Sequence, residues 1–113
     1  MFVLTRRASL GAVAAVAAAA LARPRPARAA TEAADIDNFT FSPAMMTVAP
    51  GTKVTWTNHD DIPHTVTSSA DTPVFNSPPL DTGDAFSFTF DSPGTFGYFC
   101  ALHPHMQGTV VVR

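Results

Sequence analysis

Four side chains in this sequence could meet on one metal ion: the imidazoles of His64 and His103, the thiol of Cys100 and the thioether of Met106. Three of them stand in Cys100-Ala101-Leu102-His103-Pro104-His105-Met106, where thiol, imidazole and thioether recur at every third position. A continuous strand could not aim all three at one point, because successive residues face opposite ways; a tight turn between two strands could. Thiolate and thioether are soft donors and imidazole is intermediate. Two His, one Cys and a weak Met suit a single copper ion that passes between Cu(II) and Cu(I). Zinc fits less well, since its sites seldom include a thioether.

Each residue alone has a plainer role. A lone cysteine is often a small buried hydrophobe, Met106 could fill the core, and His64 could be a polar residue at a strand edge. The cysteine count argues for more, because Cys100 is the only one in the chain and has no intramolecular disulfide mate. In an oxidising compartment that leaves burial, pairing with another chain, reactivity or a metal. A cysteine hydrolase would need a substrate cleft that so short a chain has little room to build. Two histidines remain: His59, in a polar loop, reads as solvated, and His105 as a surface residue, a tuner of the site or a competing ligand. Met45 and Met46 are rival thioethers, but period two sends one inward and one outward, and neither lies on the ligand turn.

The compartment is read from residues 1–29, which have the form of a twin-arginine-type signal peptide. Thr5-Arg6-Arg7 precedes an alanine-rich run from Ala8 to Ala22, and Ala27 and Ala29 offer an A-x-A cleavage site. That run is short of the ~20 residues a membrane-spanning helix needs, and Arg23-Pro24-Arg25-Pro26 closes it. Residues 30–113 then form the folded domain, in the periplasm. Cleavage would remove five basic residues and leave Lys53 and Arg113 against all nine acids. Such a balance argues against nucleic acid or anionic lipid as partner and favours a cationic one.

The elements that must position the four donors read as strands. Ile36 to Phe41 forms a first strand, with Phe39 and Phe41 on one face. Met45 to Val48 is a second, and the Pro50-Gly51 turn leads into Lys53 to Thr57 with Val54 and Trp56 inward. His64 to Thr67 is extended after a polar loop, and Ser68 to Asp84 has little regular pattern. Phe86, Phe88 and Phe90 alternate with polar residues, so one aromatic face turns inward. After the turn at Asp91 to Gly94, Thr95 to Cys100 puts Phe96, Tyr98 and Cys100 on one face, and Gly108 to Val112 closes the chain. About seven short strands with regular turn signals predict an all-β antiparallel sandwich with almost no helix.

His64 after Trp56-Thr57-Asn58, followed far along the chain by Cys100-x-x-His103-x-x-Met106, resembles the cupredoxins, the type 1 blue copper proteins. The short spacings in the ligand turn are most similar to the amicyanin branch of the plastocyanin and pseudoazurin family. The resemblance runs from Ile36 to Val112 and implies a Greek-key β-sandwich with copper at one end. It makes His64, Cys100 and His103 equatorial ligands and Met106 the long axial one. It gives Asn58 the role of tying the His64 loop to the Cys100 loop, whereas His105 departs from the aromatic residue amicyanins carry. It implies a monomeric one-electron carrier without a small-molecule substrate, meeting redox partner proteins through a weak, transient interface at the exposed edge of His103. Ile62, Pro63, Ala101, Leu102 and Pro104 are the apolar residues expected around that edge. Copper delivery or scavenging is the alternative the same ligands would serve. The copper enzymes built on this fold bind further copper through further histidines, and this chain has four in all.

Overall fold

Alternating apolar and polar residues, broken by Pro, Gly and Asn, give short strands whose inward faces must cover one another. In the computed structural model, which describes residues 30–113, these strands are β1 (Thr31–Asp37), β2 (Thr40–Ser42), β3 (Met45–Val48), β4 (Thr52–Asn58), β5 (Thr67–Ser68), β6 (Ala85–Phe90), β7 (Gly94–Cys100) and β8 (His103–Val112). The signal reading of residues 1–29 lies outside the described residues. One sheet has the order β2-β1-β4-β6 and the other β3-β8-β7-β5. The expected all-β sandwich is therefore what forms, without helix among the described residues. Most neighbouring strands are antiparallel, but each sheet carries one parallel pair, β1 with β4 and β3 with β8.

The two inner faces meet in an aromatic core. Trp56 on β4 is fully buried, and its ring lies 5.3 Å from that of Tyr98 on β7, edge-on. Phe41 meets Tyr98 at 4.8 Å, and Phe90 packs against Trp56 from β6. Edge-to-face pairs of this kind add about 0.5–1.5 kcal/mol each beyond the area they bury. Phe75 and Leu80, from the irregular segment before β6, are also buried, so that segment covers the sandwich without adding a strand to either sheet, its Asn76 bridging to Thr67 on β5.

Three expectations change. The stretch from Ile36 to Phe41 is not one strand, because Asn38 and Phe39 both take positive φ, 52° and 56°, and the chain reverses between β1 and β2. Two left-handed residues between paired strands make the tight hairpin turn whose twist suits the sheet. Asn adopts that conformation readily, whereas a bulky Phe does so only under strain, which is why the alternation concealed the turn. Phe39 consequently points away from the core and is 44% exposed. On β6, Phe86 and Phe88 are only partly buried while Phe90 is buried, since β6 is an edge strand. The last strand begins at His103, before the expected Gly108.

Gly108 faces Tyr98 across the β7–β8 ladder. A Cβ there would fall deep inside contact distance of the Tyr98 ring and hydroxyl, and that ring has no room to retreat between Phe41 and Trp56. Overpacking of this sort costs about 1–3 kcal/mol. Gly108→Ala should therefore lower the melting temperature of the metal-free domain by at least about 4 °C, measured by thermal denaturation.

Candidate metal centre

Cys100 ends β7, and the β7–β8 ladder changes register beside it. Phe99 pairs with Gln107, but Cys100 pairs with His103, so Pro104, His105 and Met106 bulge out of the ladder. The bulge turns His103 back towards Cys100 and leaves Met106 buried, 3% exposed, on the same strand. Extra residues in one strand of an antiparallel pair redirect side chains in this way. The expected turn thus occupies only Ala101 and Leu102, and the remaining donors sit at the irregular start of β8.

His64 arrives from the other side of the site. It lies outside the eight strands but exchanges backbone hydrogen bonds with Leu80, its N–H donating at 3.1 Å and its carbonyl accepting at 2.7 Å. Its ring is wholly buried. His64 Nδ1 lies 3.5 Å from Cys100 Sγ, and His103 Nδ1 lies 3.7 Å from the same sulfur. All three donor atoms fall within 4.8 Å of one another. Metal–sulfur and metal–nitrogen bonds of about 2.3 Å and 2.0–2.1 Å, taken from zinc sites as a scale, set donors on one ion roughly 3.5–3.8 Å apart. A thiol proton could satisfy one imidazole but not both, so the triangle fits an ion better than a hydrogen bond.

Thr65, the residue after His64, fixes the sulfur. Its backbone N–H donates to Cys100 Sγ at 3.3 Å, and its hydroxyl accepts from the Ala101 N–H at 2.7 Å. The hydroxyl continues through Thr67 Oγ1 at 3.0 Å, which in turn donates to Asn76 Oδ1. The role expected of Asn58 therefore belongs to Thr65. Asn58 Nδ2 donates to the carbonyls of Ile62 and Leu80, and its Oδ1 accepts from the Asp60 N–H, so it braces the His64 loop from within and does not reach the Cys100 loop. A hydroxyl residue directly after a candidate ligand, on the opposite face of an extended segment, was the available signal.

Two further residues carry no obvious sequence mark. Asp60 Oδ2 accepts from His64 Nε2 at 2.7 Å, which leaves Nδ1 as the nitrogen turned to the sulfur. Phe39 sets its ring edge-on to both histidines, 5.4 Å from His64 and 5.0 Å from His103. Of the other candidates, His105 is exposed with its ring 6.4 Å from that of His103, outside the donor triangle, and the exposed His59 pairs with Asp35 at 2.9 Å. Met45 is exposed and Met46 partly buried, as period two requires.

A model of copper-binding proteins of the plastocyanin/azurin family matches residues 27–113. The chain belongs to that family. This cupredoxin is 35% identical to amicyanin-alpha of Methylorubrum extorquens, over 94% of this chain and 92% of that one. It is 32% identical to the plastocyanin of Scenedesmus fuscus, over 71% and 93% of the two chains. Among solved structures, a purple cupredoxin from Nitrosopumilus maritimus superposes with a TM-score of 0.68 at 36% identity, covering 73% of this chain and 99% of its own. Copper is accordingly the cofactor, and the set of a buried thiol, the buried His64 nitrogen and the part-exposed His103 nitrogen, with Met106 buried on the strand that His103 begins, suits that ion.

Backbone N–H groups hold the Asp60 carboxyl at about 2, below its ordinary 3.8, Phe39 contributing most. Burial opposes this, and the Asn38 N–H and His64 add to the lowering. Because the folded value lies below the unfolded one, this stabilisation is complete above about pH 4 and is lost as pH falls towards 2. Denaturant titrations of the metal-free domain should show stability falling across that window, and Asp60→Asn should flatten the fall.

Proposed function

We propose that this cupredoxin is an exported, periplasmic one-electron carrier, with residues 1–29 acting as a twin-arginine-type signal and residues 30–113 as the working domain. In this reading His64, Cys100, His103 and Met106 would hold one copper ion. The observation that carries it is the single sulfur of Cys100 set 3.5 Å and 3.7 Å from two imidazole nitrogens, with no disulfide mate. Copper supplies a couple between its cupric and cuprous states. The chain's own part is to hold the donors still and dry, through the Thr65 bonds to Cys100 and Ala101 and the burial of His64, Cys100 and Met106. A site that cannot relax towards either state's preferred geometry keeps the reorganisation on electron transfer small. Burial of His64 and Cys100 also weighs against copper delivery, which calls for ready release.

Electrons would enter and leave at His103, whose ring is partly exposed while His64 is enclosed. Phe39, its ring 5.0 Å from that of His103, and the exposed Pro63, Ala101, Leu102 and Pro104 are the apolar residues that would surround that edge, Leu102 being 49% exposed. A face of a few apolar side chains around one ligand suits a weak encounter with a redox partner that must also let go. No substrate and no second metal enter this reading, so the protein acts as a carrier and not as an enzyme.

Two measurements test it. Cupric ion added to the purified domain should give one equivalent of an intensely coloured species with a narrow copper hyperfine splitting in paramagnetic resonance, and Cys100→Ser should abolish the colour. Exchange of electrons between oxidised and reduced copies, followed by NMR line broadening, should slow about tenfold in Leu102→Lys, the equivalent of ~1.4 kcal/mol in the encounter. An unchanged rate would place the electron port elsewhere.

A further inference from the structure

We propose that Asp60 is the positioning residue of the metal centre, one carboxylate that fixes the nitrogen His64 offers and holds the strained Asn38-Phe39 turn whose aromatic ring lies over both histidines. The inference rests on the copper-site reading above. Asp60 Oδ1 accepts the Asn38 N–H at 2.6 Å, and Oδ2 accepts both the Phe39 N–H at 3.0 Å and His64 Nε2 at 2.7 Å. Successive N–H groups of two left-handed residues form a concavity suited to an anion. Here the anion is a side chain from 21 residues further on.

The strain gives the arrangement its meaning. Asn38 takes its positive φ readily, but a phenylalanine beside it does so only under strain and persists there only where the surroundings over-determine it. A glycine at position 39 would make the same hairpin without strain. What the phenylalanine adds is its ring, 5.0 Å from His103 and 5.4 Å from His64. Asp60 thus joins a turn in one sheet to a ligand loop, and its charge reaches the metal site through the His64 ring.

A carboxylate accepting the distal N–H of a ligating imidazole makes that imidazole a stronger donor and adds negative charge beside the ion. Both effects favour Cu(II) over Cu(I). Asparagine cannot substitute, because both oxygens of Asp60 accept only N–H donors and an amide NH2 in either place would face another donor. Asp60→Asn should lower Cu(II) affinity about tenfold with little change for Cu(I). The reduction potential should then rise by about 59 mV, that tenfold difference expressed for a one-electron couple.

The test uses the whole mature domain and compares wild type, Asp60→Asn, Phe39→Gly and the double variant by voltammetry and by competition for Cu(II) and Cu(I). Phe39→Gly relieves the turn and removes the ring, so the Asp60→Asn rise in potential should persist in its background. Should Asp60→Asn fail to fold, NMR of the Cu(I) wild type decides: a His64 Nε2 proton protected from solvent exchange supports the proposal, and a freely exchanging one overturns it. An unchanged or lowered potential in a folded Asp60→Asn also overturns it. A wild type that takes up no copper at all would instead sink the copper-site reading.

Discussion

The break in register between β7 and β8 is the constraint on which the site depends. An antiparallel ladder pairs each residue with one partner, and a regular continuation beyond Phe99 and Gln107 would set Cys100 opposite Met106. The chain pairs Cys100 with His103 instead and spends three residues on the bulge. That one departure brings an imidazole beside the thiol while β8 resumes with Gly108, Val110 and Val112 facing inward. The core beneath is tightly occupied, with Tyr98 filling the space that a side chain at Gly108 would need. The ligand turn is therefore irregular above a ladder that cannot shift.

Around this break the buried polar side chains all have hydrogen-bond partners. Asn58, His64, Thr65 and Ser77 are all buried, and each has hydrogen-bond partners from another part of the His64 and Leu80 loops or from the Cys100 turn. A network in which every member is satisfied is rigid, because moving one group exposes another to an unpaid desolvation. The aromatic core differs: Trp56 Nε1 and Tyr98 Oη have no partner, and burial pushes the Tyr98 phenol above its usual 10.0. Polar order is thus concentrated at the end of the sandwich where the donors lie, and packing holds the remainder.

The strained hairpin at Asn38 and Phe39 belongs to the same economy of positions. Its residues are far in sequence from the ligands, yet the parallel pairing of β1 with β4 carries the hairpin to the end of β4, where Asn58 opens the His64 loop. A side chain exposed at 44% therefore still touches both histidines. Exposure and contact with the site coincide there because the turn crosses its open rim.

Much of this was legible in the order of residues alone. Donor chemistry is a property of residue type, and the spacing of Cys100, His103 and Met106 is local, so the candidate ligands, the copper preference and the sandwich class could be read without coordinates. Period two likewise placed Trp56, Tyr98 and Cys100 inward, since alternation is a backbone property. What the sequence could not supply were the partners chosen across the fold: Thr65 in place of Asn58 as the tie to the thiol, Asp60 behind His64, and Phe39 over the rings. Those depend on a register break, two parallel pairings and a turn made by a residue that disfavours it. Apart from the Asp60–His64 bond, four residues along the chain, these contacts join residues 25 to 64 positions apart, and separation along the chain carries no record of distance in space until the sheets have closed.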